Sequence, residues 1–348
     1  MKLNHSFKLS FFIEKSINIL GVLDNFTFTA LSLEADVNLI SYQHWFYHFF
    51  PRKIDFVLVE SAWLGQNRRW QYHIADYPEH PQRNNNKLKS LLLWAQKHNI
   101  PTIFWNKEDP YHFDQFIDSA RLFDFILTTD RASISKYQSL CPNAKINYLN
   151  FPFQPKIHHP APINQVVSRS SLFMGSYMQH MFLERREWQD FIFKAASPHG
   201  LCIINRHDNK KDTNYRFPKT LKAEYLHSVP YCETGHIMRK FQQIINVNSI
   251  TTSPSMLSRR VVEGMACGRL VISNPSLALQ NLFPDLCEVV ETQEQADELF
   301  TQLSYGLNHQ QNEKVRYACD HVFTHYTVKQ WLKDILNSCQ IDHPYLYA

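Results

Sequence analysis

No apolar run in this sequence approaches the ~20 residues that span a bilayer. The longest stretch near the N-terminus, Leu9 to Ile13, is broken by Glu14 and Lys15, and the next ends at Asp24. A cytoplasmic protein without a transmembrane segment is expected; peripheral contact with the inner face of a membrane stays open. Close cysteine pairs are also missing. The seven cysteines stand at 141, 202, 232, 267, 287, 319 and 339, which excludes a disulfide framework or a zinc knuckle and predicts reduced, buried thiols. Charge of one sign is nearly absent as an excess: 36 basic against 32 acidic residues give +4, too little to mark a nucleic-acid partner. With eight glycines there is no Gly-x-Gly-x-x-Gly and no phosphate loop ending in Gly-Lys-Ser/Thr, which removes dinucleotide oxidoreductases and nucleoside triphosphatases. The eighteen histidines form no His-Glu-x-x-His, and His158-His159 lies in a proline-rich stretch, so no metal site is expected.

What is present is a globular composition, 44% hydrophobic, 20% charged and 14% aromatic, over 348 residues. That length suggests two domains and therefore a cleft. Short apolar runs alternate with helical patterns: strands are expected at Ile17 to Leu23, Ile54 to Glu60, Thr102 to Trp105 and Phe125 to Thr128, and helices at Lys87 to His98 and Phe113 to Leu122. NFPFQPKIHHPAPINQVVSRS (150 to 170), with four prolines, reads as a linker. Beyond it come strands at Ser171 to Met174, Leu201 to Asn205, Gln243 to Val247, Leu270 to Ser273 and Glu288 to Val290. Helices are expected at Leu183 to Ala196, Leu257 to Cys267 and Val328 to Leu336. The expected division is 1–155, a linker over 156–170, 171–325, and a C-terminal helix within 326–348 that packs back on the first domain. Both domains are α/β with a parallel sheet.

Ligands bind such sheets beyond the carboxyl ends of the strands. The residues there are polar and aromatic: Asp24-Asn25-Phe26-Thr27, Glu60-Ser61-Ala62-Trp63, Asn106-Lys107-Glu108-Asp109 and Thr129-Asp130. Carboxylates or an imidazole at these positions suit acid–base work, and the Trp63 indole suits stacking on a sugar face. Glu60 could equally sit in a buried ion pair with an arginine; Asp109-Pro110 could be a turn, with His112 capping the next helix. In the second half, Gly175 follows a strand and allows close backbone approach, and Arg206 ends another.

The stretch SPSMLSRRVVEGMACGRLVIS (253 to 273) resembles the donor-site signature of GT-B glycosyltransferases, enzymes of two facing Rossmann-like domains. DFVLVESAWLGQNRRW (55 to 70), PTIFWNKEDPYHFDQF (101 to 116), FDFILTTD (123 to 130) and LFMGSY (172 to 177), together with SRRVVEGMACG, are similar to CgeB-like glycosyltransferases associated with spore-coat or cell-surface polysaccharides. The resemblance implies a GT-B fold and a nucleotide-sugar donor in the second domain. There the diphosphate would lie on Ser258, Arg259, Arg260 and Arg206 beside Gly175, with Glu263 on the ribose. Free amides at a helix start and planar guanidinium forks suit phosphate oxygens, and a carboxylate suits a ribose diol. A glycan or polymer acceptor would lie in the first domain, against Trp63, Glu108 and Asn25, with Glu60, Asp109 and His112 as unranked base candidates. Ser255 stands where the best-known retaining pattern has a second glutamate, which leaves the stereochemistry open. No Asp-x-Asp is present, so metal-independent transfer with no cofactor is expected. A catalytically silent sugar-nucleotide-binding or scaffold protein is the alternative.

Overall fold

The computed structural model describes residues 16–40, 53–162, 167–208 and 212–347; the Leu9 to Ile13 run and residues 163–166 of the expected linker lie outside them. The first half contains β1 (Asn18–Val22), α1 (Asn25–Leu31), β2 (Asp36–Leu39), β3 (Phe56–Glu60), α2 (Asn86–Lys97), β4 (Thr102–Asn106), α3 (Phe113–Ala120), β5 (Phe125–Thr128), α4 (Ile134–Leu140) and β6 (Lys145–Tyr148). Its six strands are parallel, in the order β2-β1-β3-β4-β5-β6. β3 and β4 are buried at every position, as continuous apolar runs covered on both faces must be.

The second half contains β7 (Ser168–Gly175), α5 (Leu183–Ala196), β8 (Leu201–Asn205), β9 (Glu224–Leu226), α6 (Tyr231–Met238), β10 (Phe241–Asn246), α7 (Arg260–Ala266), β11 (Leu270–Ser273), α8 (Leu277–Leu282), β12 (Glu288–Val289), α9 (Gln293–Leu303), α10 (His309–His325) and α11 (Val328–Ser338). Its strands are also parallel, ordered β12-β11-β10-β7-β8-β9. Each sheet reverses its strand order once, between β1 and β3 and between β7 and β10. Those are the crevices where such sheets take ligands.

The chain crosses between the halves twice, and the crossings are bonded to each other. Phe153 N–H donates to Tyr326 O (2.9 Å), and Val328 N–H donates to Phe153 O (2.9 Å). After the second crossing α11 returns to the first half. Its Val328, Trp331, Leu332, Ile335 and Leu336 complete the core made by Ile19, Phe56, Leu58, Ile103 and Trp105. The Trp331 indole N–H donates to Asn150 O at 2.8 Å. No helix among the described residues is long and apolar enough to cross a membrane.

Candidate functional site

Glu60, at the end of β3, is fully buried. Its carboxylate accepts from the Asp24 amide, from Thr27 Oγ1 (2.6 Å) and from Lys107 Nζ (3.1 Å), while Lys107 also reaches Asp24 at 2.7 Å. The expected arginine partner is thus a lysine. Burial pushes the Glu60 carboxyl above its usual range, opposed by Lys107; burial alone would lower Lys107, but Glu60 and Asp24 hold it above its usual value and charged.

Asp109 does not face the cleft. It is fully buried, and its carboxylate accepts from Asn106 Nδ2 (2.8 Å), Thr128 Oγ1 (2.6 Å) and Tyr137 hydroxyl (2.9 Å). Three donors from strand ends and α4 draw the side chain inward beneath a cis Asp109–Pro110 peptide. Burial raises its pKa to about 7 against the pull of Thr128 and Tyr137.

Two neighbours stay accessible. Glu108 is half-buried and close enough to Arg206 to act on its charge across the cleft. His112 is half-buried at the N-cap of α3, where its side chain makes no capping bond. Its ring instead meets the edge of Trp63 at 4.9 Å, and adjacent Tyr111 touches Phe182 of the second half at 4.7 Å. Asn25 is exposed as the first residue of α1, not part of a loop.

The opposite wall is built on arginines. The helix expected from Leu257 begins only at Arg260 and is seven residues long. The Ser258 amide is taken by Asn248 Oδ1 at 2.8 Å, so the side chains here carry more than a helix dipole. Arg260 donates from Nε to Met174 O (2.7 Å) and from Nη1 to Asn246 Oδ1 (3.1 Å), its guanidinium lying 5.1 Å from the Phe173 ring. A Cβ on Gly175 would stand 2.9 Å from Arg260 Nη2 and 2.7 Å from Phe173, so glycine is needed to admit that guanidinium.

Arg185, which the sequence did not single out, is 7% exposed, donates to Ser176 O at 2.8 Å and keeps a buried Nε without partner. It lines a cavity of about 360 Å3 with Trp188, Asn248, Thr251, Asn274 and Ser276. Burial, then Arg206 and Arg185, brings the Arg260 pKa down to about 9; burial, then Arg206, brings Arg185 down to about 10. Arg206 is reached by solvent but stands between the walls, and partial desolvation followed by Arg259 lowers it too. Four guanidinium groups therefore share one field.

One carboxylate answers them. Glu263 is 4% exposed and meets Arg259 Nε at 2.5 Å as an ion pair; neither Arg259 Nε nor Glu263 Oε1 has an aligned hydrogen bond. The guanidinium of Arg259 lies between Phe26 of the first half (3.8 Å) and Tyr231 of the second (4.8 Å). Burial would raise Glu263, but Arg259 and then His158 hold it below the usual carboxylate range. Buried His158, lowered by its burial to about 4, is a neutral backstop bonded to Thr234 at 2.9 Å. Its position beside Glu263 gave no signal in the sequence.

The structure thus brings Gly175, Arg206, Ser258, Arg259, Arg260 and Glu263 to one crevice, with Glu108, His112 and Trp63 on the facing wall. Glu60 and Asp109 stand behind that wall. Among the described residues no group of three or more His, Cys, Asp or Glu is arranged to hold a metal.

Residues 181–337 match the protein family described as Glycosyl transferase-like. No curated protein matches the chain. Similar solved structures include Anabaena Alr3699/HepE in complex with UDP, at 11% identity over 93% of this chain and 99% of that one, TM-score 0.55. A glycosyltransferase from Rickettsia africae ESF-5 is similar at 12% identity over 93% and 98%, TM-score 0.53. An α,α-trehalose-phosphate synthase (UDP-forming) from Burkholderia vietnamiensis is similar at 10% identity over 86% and 75%, TM-score 0.50. The architecture is GT-B: two Rossmann-like α/β halves facing across a cleft.

Proposed function

We propose that this chain is a hexosyltransferase-type glycosyltransferase that moves a sugar from a nucleoside diphosphate sugar to a hydroxyl acceptor without a metal. The observation that carries this reading is the cluster of Arg185, Arg206, Arg259 and Arg260 at the β7/β10 crevice, answered by the single carboxylate of Glu263. Cations that depress one another's pKa are relieved by a dianion, and planar forks match diphosphate oxygens. Glu263 Oε1, lacking an aligned donor, suits a ribose diol once Arg259 turns to the phosphates. The Glycosyl transferase-like match of residues 181–337 and the UDP held by the HepE structure support the same assignment.

In the transfer step the acceptor oxygen bonds to the anomeric carbon. The bond from that carbon to the phosphate oxygen breaks, and the nucleoside diphosphate leaves with the electron pair. The arginines would stabilise the charge that develops there. The acceptor proton passes to a base; His112 is our choice among the three candidates, because Glu60 and Asp109 are enclosed by their own donors. Trp63 and Glu108 would hold the acceptor, with Asn25 at the rim. The similarity to CgeB-like proteins favours a cell-surface glycan or related polymer as acceptor.

The enclosure of two carboxylates also favours a second reading, a sugar-nucleotide-binding protein without turnover. Incubation with UDP-sugars in excess EDTA, followed by mass spectrometry for released UDP, separates the two. UDP release lost in Arg260→Gln and lowered at least tenfold in His112→Gln is the expected result. Tight binding without UDP release in the presence of glycan acceptors would favour the silent reading.

A further inference from the structure

A second cavity, of about 500 Å3, lies away from the arginine crevice. It is walled by Arg131 and Tyr148 of the first half, by Asn150 to Pro152 of the first crossing, by Asn281, His321 and His325 of the second half, and by Asp334 and Asn337 of returning α11. Both chain crossings therefore line it, next to the Phe153–Tyr326 and Val328–Phe153 bonds. Such a volume fits a small molecule.

Its polar groups are under-used. Asn150 is 8% exposed, and its Nδ2 is buried without an aligned partner, as is the Tyr148 hydroxyl. Unanswered buried donors are costly and mark where a ligand or water is needed. Among the described residues no carboxylate pairs with Arg131, whose guanidinium is spread over the Tyr148 ring at 4.4 Å. His321, lowered by burial and by His325, is neutral near pH 7 and offers one donor and one acceptor. Asp334 already accepts from Gln330 at 2.8 Å and has acceptor capacity left for hydroxyls. Tyr148 and Tyr326 add aromatic surface of the kind that packs on a pyranose ring.

We propose that this hinge cavity binds a hexose monophosphate, with the phosphate on Arg131 and Asn150 and the hydroxyls on His321, His325 and Asp334. The ligand would touch both halves and both crossings, so its affinity depends on how the halves are set against each other. The site is independent of the proposed donor crevice and does not need the chain to be a transferase.

The test is calorimetric titration of the full chain with hexose 6-phosphates, hexose 1-phosphates, unphosphorylated hexose and inorganic phosphate. Arg131→Gln and His325→Gln, both of exposed side chains, are compared with Arg260→Gln. Expected is binding of a hexose monophosphate that weakens at least tenfold in Arg131→Gln and severalfold in His325→Gln, with unchanged melting temperatures and no change in Arg260→Gln. Inorganic phosphate alone should bind at least tenfold more weakly. No binding of any hexose phosphate, binding equal to that of inorganic phosphate, or binding lost in Arg260→Gln but kept in Arg131→Gln would each overturn the proposal.

Discussion

At the scale of single residues, two glycines separate packing from backbone geometry. Gly175 has no need of a special backbone angle, but any side chain there collides with Phe173 and Arg260. Gly175→Ala should cost about 1–3 kcal/mol through overpacking and displace the Arg260 fork, weakening nucleotide binding at least tenfold. Gly268, at φ +65° with its nearest neighbour 3.6 Å from an added Cβ, should lose about 1 kcal/mol on Gly268→Ala and keep its nucleotide affinity. Urea unfolding and titration on both variants check the contrast.

Asp109 supplies a pH signature. The folded protein holds its proton more tightly than the unfolded chain, so the resulting stability is complete below about pH 4. It is lost as pH rises towards about 7. The change from 3.8 to about 7 corresponds to about 4 kcal/mol at most. Relative to Asp109→Asn, the wild type should lose stability between pH 4.5 and 7.5. Parallel stability profiles for the two would show that Asp109 is ionised throughout.

At the scale of elements, α11 is where the two halves depend on each other. Trp331 packs edge-on against Trp105 at 5.0 Å and is bonded to Asn150 O, so one side chain ties the returning helix to the first core and to the crossing. Trp331→Ala should cost about 3–5 kcal/mol, read as a lower urea midpoint of the first half. A loss below 1 kcal/mol would show that α11 merely covers a core stable without it.

Buried strands were legible in the sequence because burial on both faces leaves continuous apolar runs: β3, β4, β5, β8 and β11 lie within a residue or two of their expected ends. The edge strands were not. β2 (DVNL), β6 (KINY) and β9 (EYL) are half-buried or exposed, too short and polar to stand out from loops. Helix α10, with its Asn308–Gln311 capping box, was missed because HQQNEKVRYACDHVFTH shows a weak apolar stripe. In the site, Arg260, Glu263 and Gly175 could be found from one contiguous block. Arg185 and His158 could not, since only the fold carries α5 and the first crossing to them. The inward turn of Asp109 was equally hidden: Thr128 and Tyr137, its partners, lie 19 and 28 positions away.

At the scale of the whole molecule, the halves are joined by polar contacts as well as by the crossings. Ser253 Oγ donates to Asp130 at 2.5 Å, and Ser255 Oγ accepts from the Arg131 amide at 2.8 Å. Arg259 extends the contact into the cleft by lying on Phe26. The donor crevice is therefore closed on one side by the first half, and a nucleotide that draws Arg259 away from Phe26 would change how the halves meet. The central claim is that the arginine cluster and Glu263 together form a nucleoside diphosphate site. Its most direct test is calorimetric titration of metal-free protein with UDP, GDP, ADP and their sugars, in wild type, Arg260→Gln and Glu263→Ala. The account predicts binding selective for one nucleotide, weakened at least tenfold in each variant while both stay folded. Absence of binding by folded wild type, or binding that survives both substitutions, would contradict it.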